Sequence, residues 1–282
     1  MSGKTKIILL IISFTLFNIK TFSQEYRIMY EYSFKSDSTN INSVEKEDMV
    51  LDTYQLGSVF YSYPRFQYDS ISIETSKTNS YPNFTNKSKI EFYVEKKYPN
   101  SDIILHTNLG VDKFAIKDNI KFDWEISQEK DKIKGFNVQK ATVSFGGRKW
   151  IAWYTNEILI FDGPYKFHGL PGLILKLEDS ENNHKFNFLG IEKKADGKSH
   201  FFQTINYKEK IIDNYTFKKA WNEHKKDPAK SAKFLLLNSD TGMKITWDGK
   251  DYSVKDMIKN AEEMELEKIK KNNNFIELTL FR

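Results

Sequence analysis

Beyond Gln24 the dominant pattern is alternation. Tyr26 to Phe34 reads YRIMYEYSF, with aromatic and aliphatic residues at every second position, as a half-buried strand requires. Asp48 to Leu56 and Ser58 to Tyr63 repeat the pattern on either side of Gly57, predicting a hairpin whose second strand ends at Pro64. The polar stretch 65–90 predicts a short helix or turn near Tyr68 to Ser76 followed by a mobile loop. Further strands are predicted at Ile90–Glu95 and Ile103–Leu109, and Phe114–Ile116 is expected to pair with Phe122–Ile126. Phe136–Phe145 and Trp150–Thr155 flank Gly146-Gly147, a hairpin signal; Leu173–Leu177, Lys185–Ile191 and His200–Ile205 complete the strands.

After Asn206 the period changes from two to about 3.6. Phe217, Ala220, Trp221 and His224 share one face of a helix over Tyr215–Lys226, which stops at Asp227-Pro228. Ser231–Asn238 extends it or starts another. Ser253 and Asp256 have the spacing of a capping box, and Val254, Met257, Ile258, Ala261 and Ile269 form the stripe of a last helix. Strands followed by helices predict a mainly β, α+β domain. Its expected form is a curved antiparallel sheet or half-barrel with C-terminal helices packed against it. The domain is expected to run over 24–282, β-rich over 24–205, helical over 206–272, with a short C-terminal segment at 273–282.

Between the strands at Trp150 and Leu173 the pattern breaks. Arg148 to Asp179 reads RKWIAWYTNEILIFDGPYKFHGLPGLILKLED, with a turn at Asp162-Gly163-Pro164, an aromatic corner at Tyr165 and Phe167, and a second turn at Gly169-Leu170-Pro171-Gly172. The hexapeptide Gly169 to Ile174, with Gly135, Lys140-Ala141-Thr142, Gly147-Arg148, Ala152-Trp153-Tyr154-Thr155 and Gly163-Pro164-Tyr165-Lys166-Phe167, resembles the GLPGLI family in order and content over roughly 120–195. The resemblance implies an exported protein of Gram-negative bacteria, encoded near outer-membrane transport components, and a TonB-dependent transporter as partner. It implies a compartment and no mechanism. Relatives often carry a cysteine before the Lys-Ala-Thr segment; Phe136-Asn137-Val138-Gln139 has none, so no thiol role extends to this chain.

Residues 1–23 have the layout of a signal peptide, with Lys4 and Lys6 in front, an apolar run from Ile7 to Phe17, and a cleavage site after Ser23. The mature protein is therefore expected in the periplasm, peripheral to the outer membrane. Losing Lys4, Lys6 and Lys20 takes the net charge from +5 to +2. That balance removes the concentrated basic surface that a nucleic-acid partner needs. With no cysteine, a disulfide framework and lipidation through an N-terminal cysteine are both excluded.

Candidate chemistry is sparse. There is no Gly-x-Ser-x-Gly elbow, no thiol, and no serine that a histidine obviously activates. Gly146-Gly147-Arg148 leads into a strand, whereas phosphate-binding loops lead into helices. Asp162 and His168, with His184 and Asp179 further on, allow a metal or an acid-base pair, and a metal-dependent hydrolase would be built on Asp162, His168 and His184, but the spacing matches no established metal motif. The plainer reading has Asp162 capping a turn and His168 at an exposed corner. No cofactor is implied, and a binding or accessory module is favoured over an enzyme.

The aromatic cluster has two readings, core or binding surface. Alternation puts Trp150, Ala152 and Tyr154 on one sheet face and Ile151 and Trp153 on the other. As a surface, Arg148, Trp153, Tyr154 and the corner Asp162, Gly163, Pro164, Tyr165, Phe167, Gly169, Leu170, Pro171 and Gly172 would wall a site for a lipid or other apolar ligand, or for a partner protein.

Overall fold

In the computed structural model, residues 25–40, 42–77, 86–99, 102–194, 208–238, 245–247 and 250–282 are described. The expected leader and the strand expected at His200–Ile205 lie outside them. One sheet of twelve strands organises the chain, in the order β12-β6-β5-β4-β3-β2-β1-β11-β10-β9-β8-β7. Its strands are β1 (Tyr26–Phe34), β2 (Glu45–Tyr54), β3 (Gly57–Ser62), β4 (Tyr93–Lys97), β5 (Asp102–Leu109) and β6 (Asp112–Asn119), then β7 (Glu125–Ile133), β8 (Phe136–Phe145), β9 (Arg148–Thr155), β10 (Leu173–Asp179), β11 (His184–Lys193) and β12 (Lys210–Asp213). Every neighbouring pair is antiparallel except β12 with β6, which is parallel.

The chain meanders from β1 to β6, starts again at the far edge with β7, and returns through β8, β9 and β10 to β11, which closes on β1. Among the described residues five helices accompany the sheet: α1 (Tyr63–Ser76), α2 (Asn214–Lys226), α3 (Lys230–Leu237), α4 (Val254–Lys271) and α5 (Leu278–Phe281), with a small hairpin of β13 (Ile245–Trp247) and β14 (Lys250–Tyr252) before α4. The mainly β architecture with late helices is as the pattern predicts. The stretch expected to be helical also contains β12 and the β13–β14 hairpin.

The core lies on one sheet face. Tyr30, Tyr32, Leu51, Phe60, Leu105 and Ile116 point to it from successive strands, and Phe217 and Trp221 close it from α2. A smaller cluster of Val50, Val59 and Tyr61 lies on the opposite face, with Phe66 of α1 packed against it. A bulge between Ile174 and Lys176 lets Leu173, Ile174 and Leu175 all be buried, which strict alternation forbids.

Two local expectations are corrected. Pro64 does not merely end a strand: it sits in the first turn of α1, which Ser62 caps by accepting from the Arg65 amide, so the helix begins five residues before Tyr68. Phe114–Ile116 pairs with β5 and β12, not with Phe122–Ile126; Phe122 and Trp124 instead stack around Phe167. The capping box at Ser253 and Asp256 is present at the start of α4.

Candidate functional site

The corner between β9 and β10 is held by buried charge. Asp162 and Lys96 are both fully buried and form an ion pair. The Asp162 carboxylate also accepts from Ser58 Oγ at 2.5 Å, from the Tyr98 hydroxyl and from the Gly163 amide at 2.6 Å. The Lys96 ammonium donates in turn to the Gly163 carbonyl at 2.7 Å. Burial pushes the Lys96 ammonium below its ordinary pKa, and the Asp162 charge opposes that shift. Sequence reasoning missed Lys96, Ser58 and Tyr98. Alternation places Lys96 on the same face as Val94, but a lysine near a strand end reads as solvated.

Asp162 and His168 do meet, through a backbone bridge that closes the loop. His168 is buried, not at an exposed corner; burial lowers its pKa, and its Nδ1 lies 2.9 Å from the Lys166 carbonyl. Gly172 makes the second turn possible. Its φ is +154°, and a Cβ there would sit 1.9 Å from the Thr155 carbonyl oxygen. Tyr165, Phe167 and Leu170 are core residues, whereas Gly169 and Pro171 are exposed. Trp150 and Tyr154 point inward, and Trp153 lies half-buried on the outer face within 6.0 Å of the Lys140 ammonium. Trp153 and the corner aromatics therefore share no wall.

The same segment clasps the C-terminal residues. Arg148 pairs with Asp179 at 3.0 Å and donates to Asn274 Oδ1 at 2.6 Å and twice to the Phe275 carbonyl, at 3.0 and 2.8 Å. Lys166, also fully buried, bridges Asp118 at 3.1 Å and Glu277 at 2.6 Å. Tyr165, held at φ +56°, donates to Glu277 at 2.5 Å. Gly146, at φ +63°, leaves no room for a side chain: a Cβ would meet the Glu277 Cα at 2.9 Å.

The clasped residues form part of a cavity of about 400 Å³ between the core face and α2 and α4. Its walls are mostly apolar, with Tyr32, Phe34, Phe92, Leu109, Trp221 and Phe275 among them. None of the corner residues from Asp162 to Gly172 lines it, nor do Arg148, Trp153 or Tyr154. His184 does. Its Nδ1 is 2.8 Å from the Tyr32 hydroxyl, while Nε2 is buried without a hydrogen-bond partner. Asp179 accepts from the Asn183 and His184 amides, each at 2.7 Å, so it anchors the turn before β11. Among the described residues no group of three or more His, Asp or Glu side chains is placed to hold a metal ion.

Burial, and secondarily the nearby Arg148 charge, depresses His184 to a pKa of about 3 from an ordinary 6.5. Between these values the unfolded chain binds the proton and the folded chain does not. The stability this neutral histidine supports is therefore complete above pH 6.5 and lost as pH falls towards 3, at up to about 1.4 kcal/mol per unit. Urea unfolding at pH 7, 6 and 5 is expected to show this acid limb in the native protein and a shallower one in His184→Phe; identical slopes would refute it.

A family model described as a protein of unknown function (Porph_ging) matches residues 146–176. That span covers the clasp from Gly146 to Lys166 and both corner turns. No curated protein matches the chain. Among solved structures, two crystal forms of PNGF-II are similar. The C2 form shares 19% identity with a TM-score of 0.46, covering 68% of this chain and 31% of that one. The P21 form shares 19% identity with a TM-score of 0.49, covering 70% of this chain and 33% of that one. The chain thus spans about a third of the length of the solved chains it matches.

Proposed function

We propose that this is an exported, periplasmic binding protein of the GLPGLI family that carries an apolar ligand, such as a lipid chain, in the cavity between sheet and C-terminal helices. The observation that carries this reading is the cavity itself. A partly open cavity of about 400 Å³ whose wall area is mostly apolar, with Lys89, Glu91, His224, Glu265 and Lys268 also lining it, has the form of a small-molecule site. The signature corner then has a structural role: it supports the ligand-enclosing C-terminal segment and does not touch the ligand. The leader at residues 1–23 and the family resemblance support export. The test is native mass spectrometry and lipid extraction on protein purified from its own periplasm. Co-purifying lipid is expected in the native protein and in Trp153→Ala, and is expected to be lost in Leu109→Trp, which fills the cavity. Retention of lipid in folded Leu109→Trp would refute the assignment.

A second reading, docking to an outer-membrane TonB-dependent transporter, draws on a different feature. Leu159 and Phe161 are 76% and 57% exposed in the corner loop that also carries the exposed Pro171, and such apolar surface suits an interface. Cross-linking to a transporter that Leu159→Asp with Phe161→Asp abolishes would support this role; unchanged cross-linking in that double variant would refute it.

A further inference from the structure

The helix α3 carries its apolar side outward. Phe234, Leu235 and Leu237 are 68%, 59% and 66% exposed, and neighbouring apolar side chains left in water at this extent mark an interaction surface. The three share one face of the helix, with Lys230 one turn before Phe234. The other side of the helix makes its contacts: Ser231 donates to Asp112, and Lys233 pairs with Asp227 at 2.9 Å and with Glu262 of α4 at 3.3 Å. So α3 is held by polar groups while its large side chains face solvent. None of the three lines the cavity.

The preceding helix supplies the charge. Phe217 and Trp221 of α2 face the core, which leaves Tyr215, Lys218, Lys219, Lys225 and Lys226 exposed on its outer face. Only residues 227–229 separate it from α3. Over 208–238 the chain has eight lysines, no arginine and four carboxylates, although from Gln24 onward basic residues outnumber acidic ones by only two. Among the described residues, Lys218, Lys219, Lys225 and Lys230 form no ion pair with a carboxylate.

These residues select what meets the patch. A second copy would set lysine against lysine, and like charges oppose that contact. Protein interfaces are enriched in arginine and depleted in lysine, the reverse of the composition here. An anionic bilayer suits both parts: its apolar layer takes Phe234, Leu235 and Leu237, and its phosphates take ammoniums carried on long flexible stems. We propose that the outer faces of α2 and α3 dock the protein on a membrane surface of anionic phospholipid, with the α3 side chains entering the headgroup layer. The docking needs no ligand in the cavity, so it stands apart from the carrier reading.

Sedimentation of the purified protein with phosphatidylcholine vesicles, with and without about one-third phosphatidylglycerol, tests it. Binding to the anionic vesicles is expected to be about tenfold tighter or more, to weaken at high salt, and to be lost in the double variant Leu235→Asp with Leu237→Asp. Both positions are exposed, so that variant is expected to fold, as circular dichroism will report. Because the native chain has no cysteine, a polarity-sensitive dye on Leu237→Cys reports that position alone. Its emission is expected to shift to the blue on anionic vesicles, while the same dye on Leu159→Cys is expected not to respond. Equal binding to both kinds of vesicle, indifference to salt, no binding at all, or a shift at Leu159→Cys alone would overturn the proposal. Retained binding in the folded double variant would do the same. Emission from Leu237→Cys that is already blue without vesicles would show the face covered by the protein itself or by a second copy, and would also overturn it. Binding to envelope fragments but not to vesicles, abolished by protease treatment of the fragments, would give the face to a partner protein instead.

Discussion

Asp162→Ala is expected to destabilise the protein by about 3–5 kcal/mol, because it leaves the fully buried Lys96 ammonium without its counter-charge. It also strips an acceptor from Ser58, Tyr98 and the Gly163 amide. The effect belongs to the pair more than to either member. Combining K96M with D162N removes the stranded cation and keeps an amide oxygen for the two hydroxyls, so the double variant is expected to recover at least half of the loss. Urea unfolding monitored by circular dichroism measures all three. A loss below about 1 kcal/mol in Asp162→Ala would mean that the corner relaxes to admit water, and that the buried pair does not hold β9, β10 and β4 together.

Arg148→Ala is expected to be nearly as costly, about 3–5 kcal/mol, for a related reason: Asp179 is left buried and unpaired. Its structural signature differs. Arg148 supplies donors to Asn274 and Phe275, so its loss is expected to free the C-terminal segment and expose it to carboxypeptidase. A chain ending at Asn272 is expected to share most of this effect. Adding Arg148→Ala to it should cost at least 1 kcal/mol less than in the full-length chain, since the two changes remove the same contacts. Full additivity would show that the arginine stabilises only the Asp179 turn. Because the freed segment includes Phe275, Ile276 and Phe281, which line the cavity, ligand retention should fall in both variants.

Much of the fold was legible. Tyr26–Phe34 and Phe136–Phe145 are strands because one sheet face is dry and the other wetter, and a period of two is the direct imprint of that condition. The Gly146-Gly147 hairpin and the Ser253 capping box were legible because turns and caps are satisfied by residues within a few positions of one another. Gly163, Gly169 and Gly172 marked the corner as special for the same local reason. Trp153 was correctly separated from Trp150 and Tyr154 by alternation, yet its place in a binding wall was not, since a face says nothing about what covers it.

The sequence by itself determined most of the elements, the mainly β class and the position of an unusual corner, all of which follow from local propensity and burial periodicity. Only the tertiary structure decided what that corner is for. Lys96 and Asp162 are 66 residues apart, and Arg148 and Asn274 are 126 apart. Such partners are brought together by strand order and by the return of the C-terminal segment, and no local pattern encodes either. A charged residue in a sequence reads as solvated until a specific partner offsets the cost of burying it, so Lys96, Lys166 and Arg148 became core residues only once the sheet had supplied theirs. The cavity follows the same rule. It is lined by β1, residues 88–92, β5, the start of β11, α2, α4 and the clasped segment, seven stretches that the chain visits far apart and that only packing sets around one space.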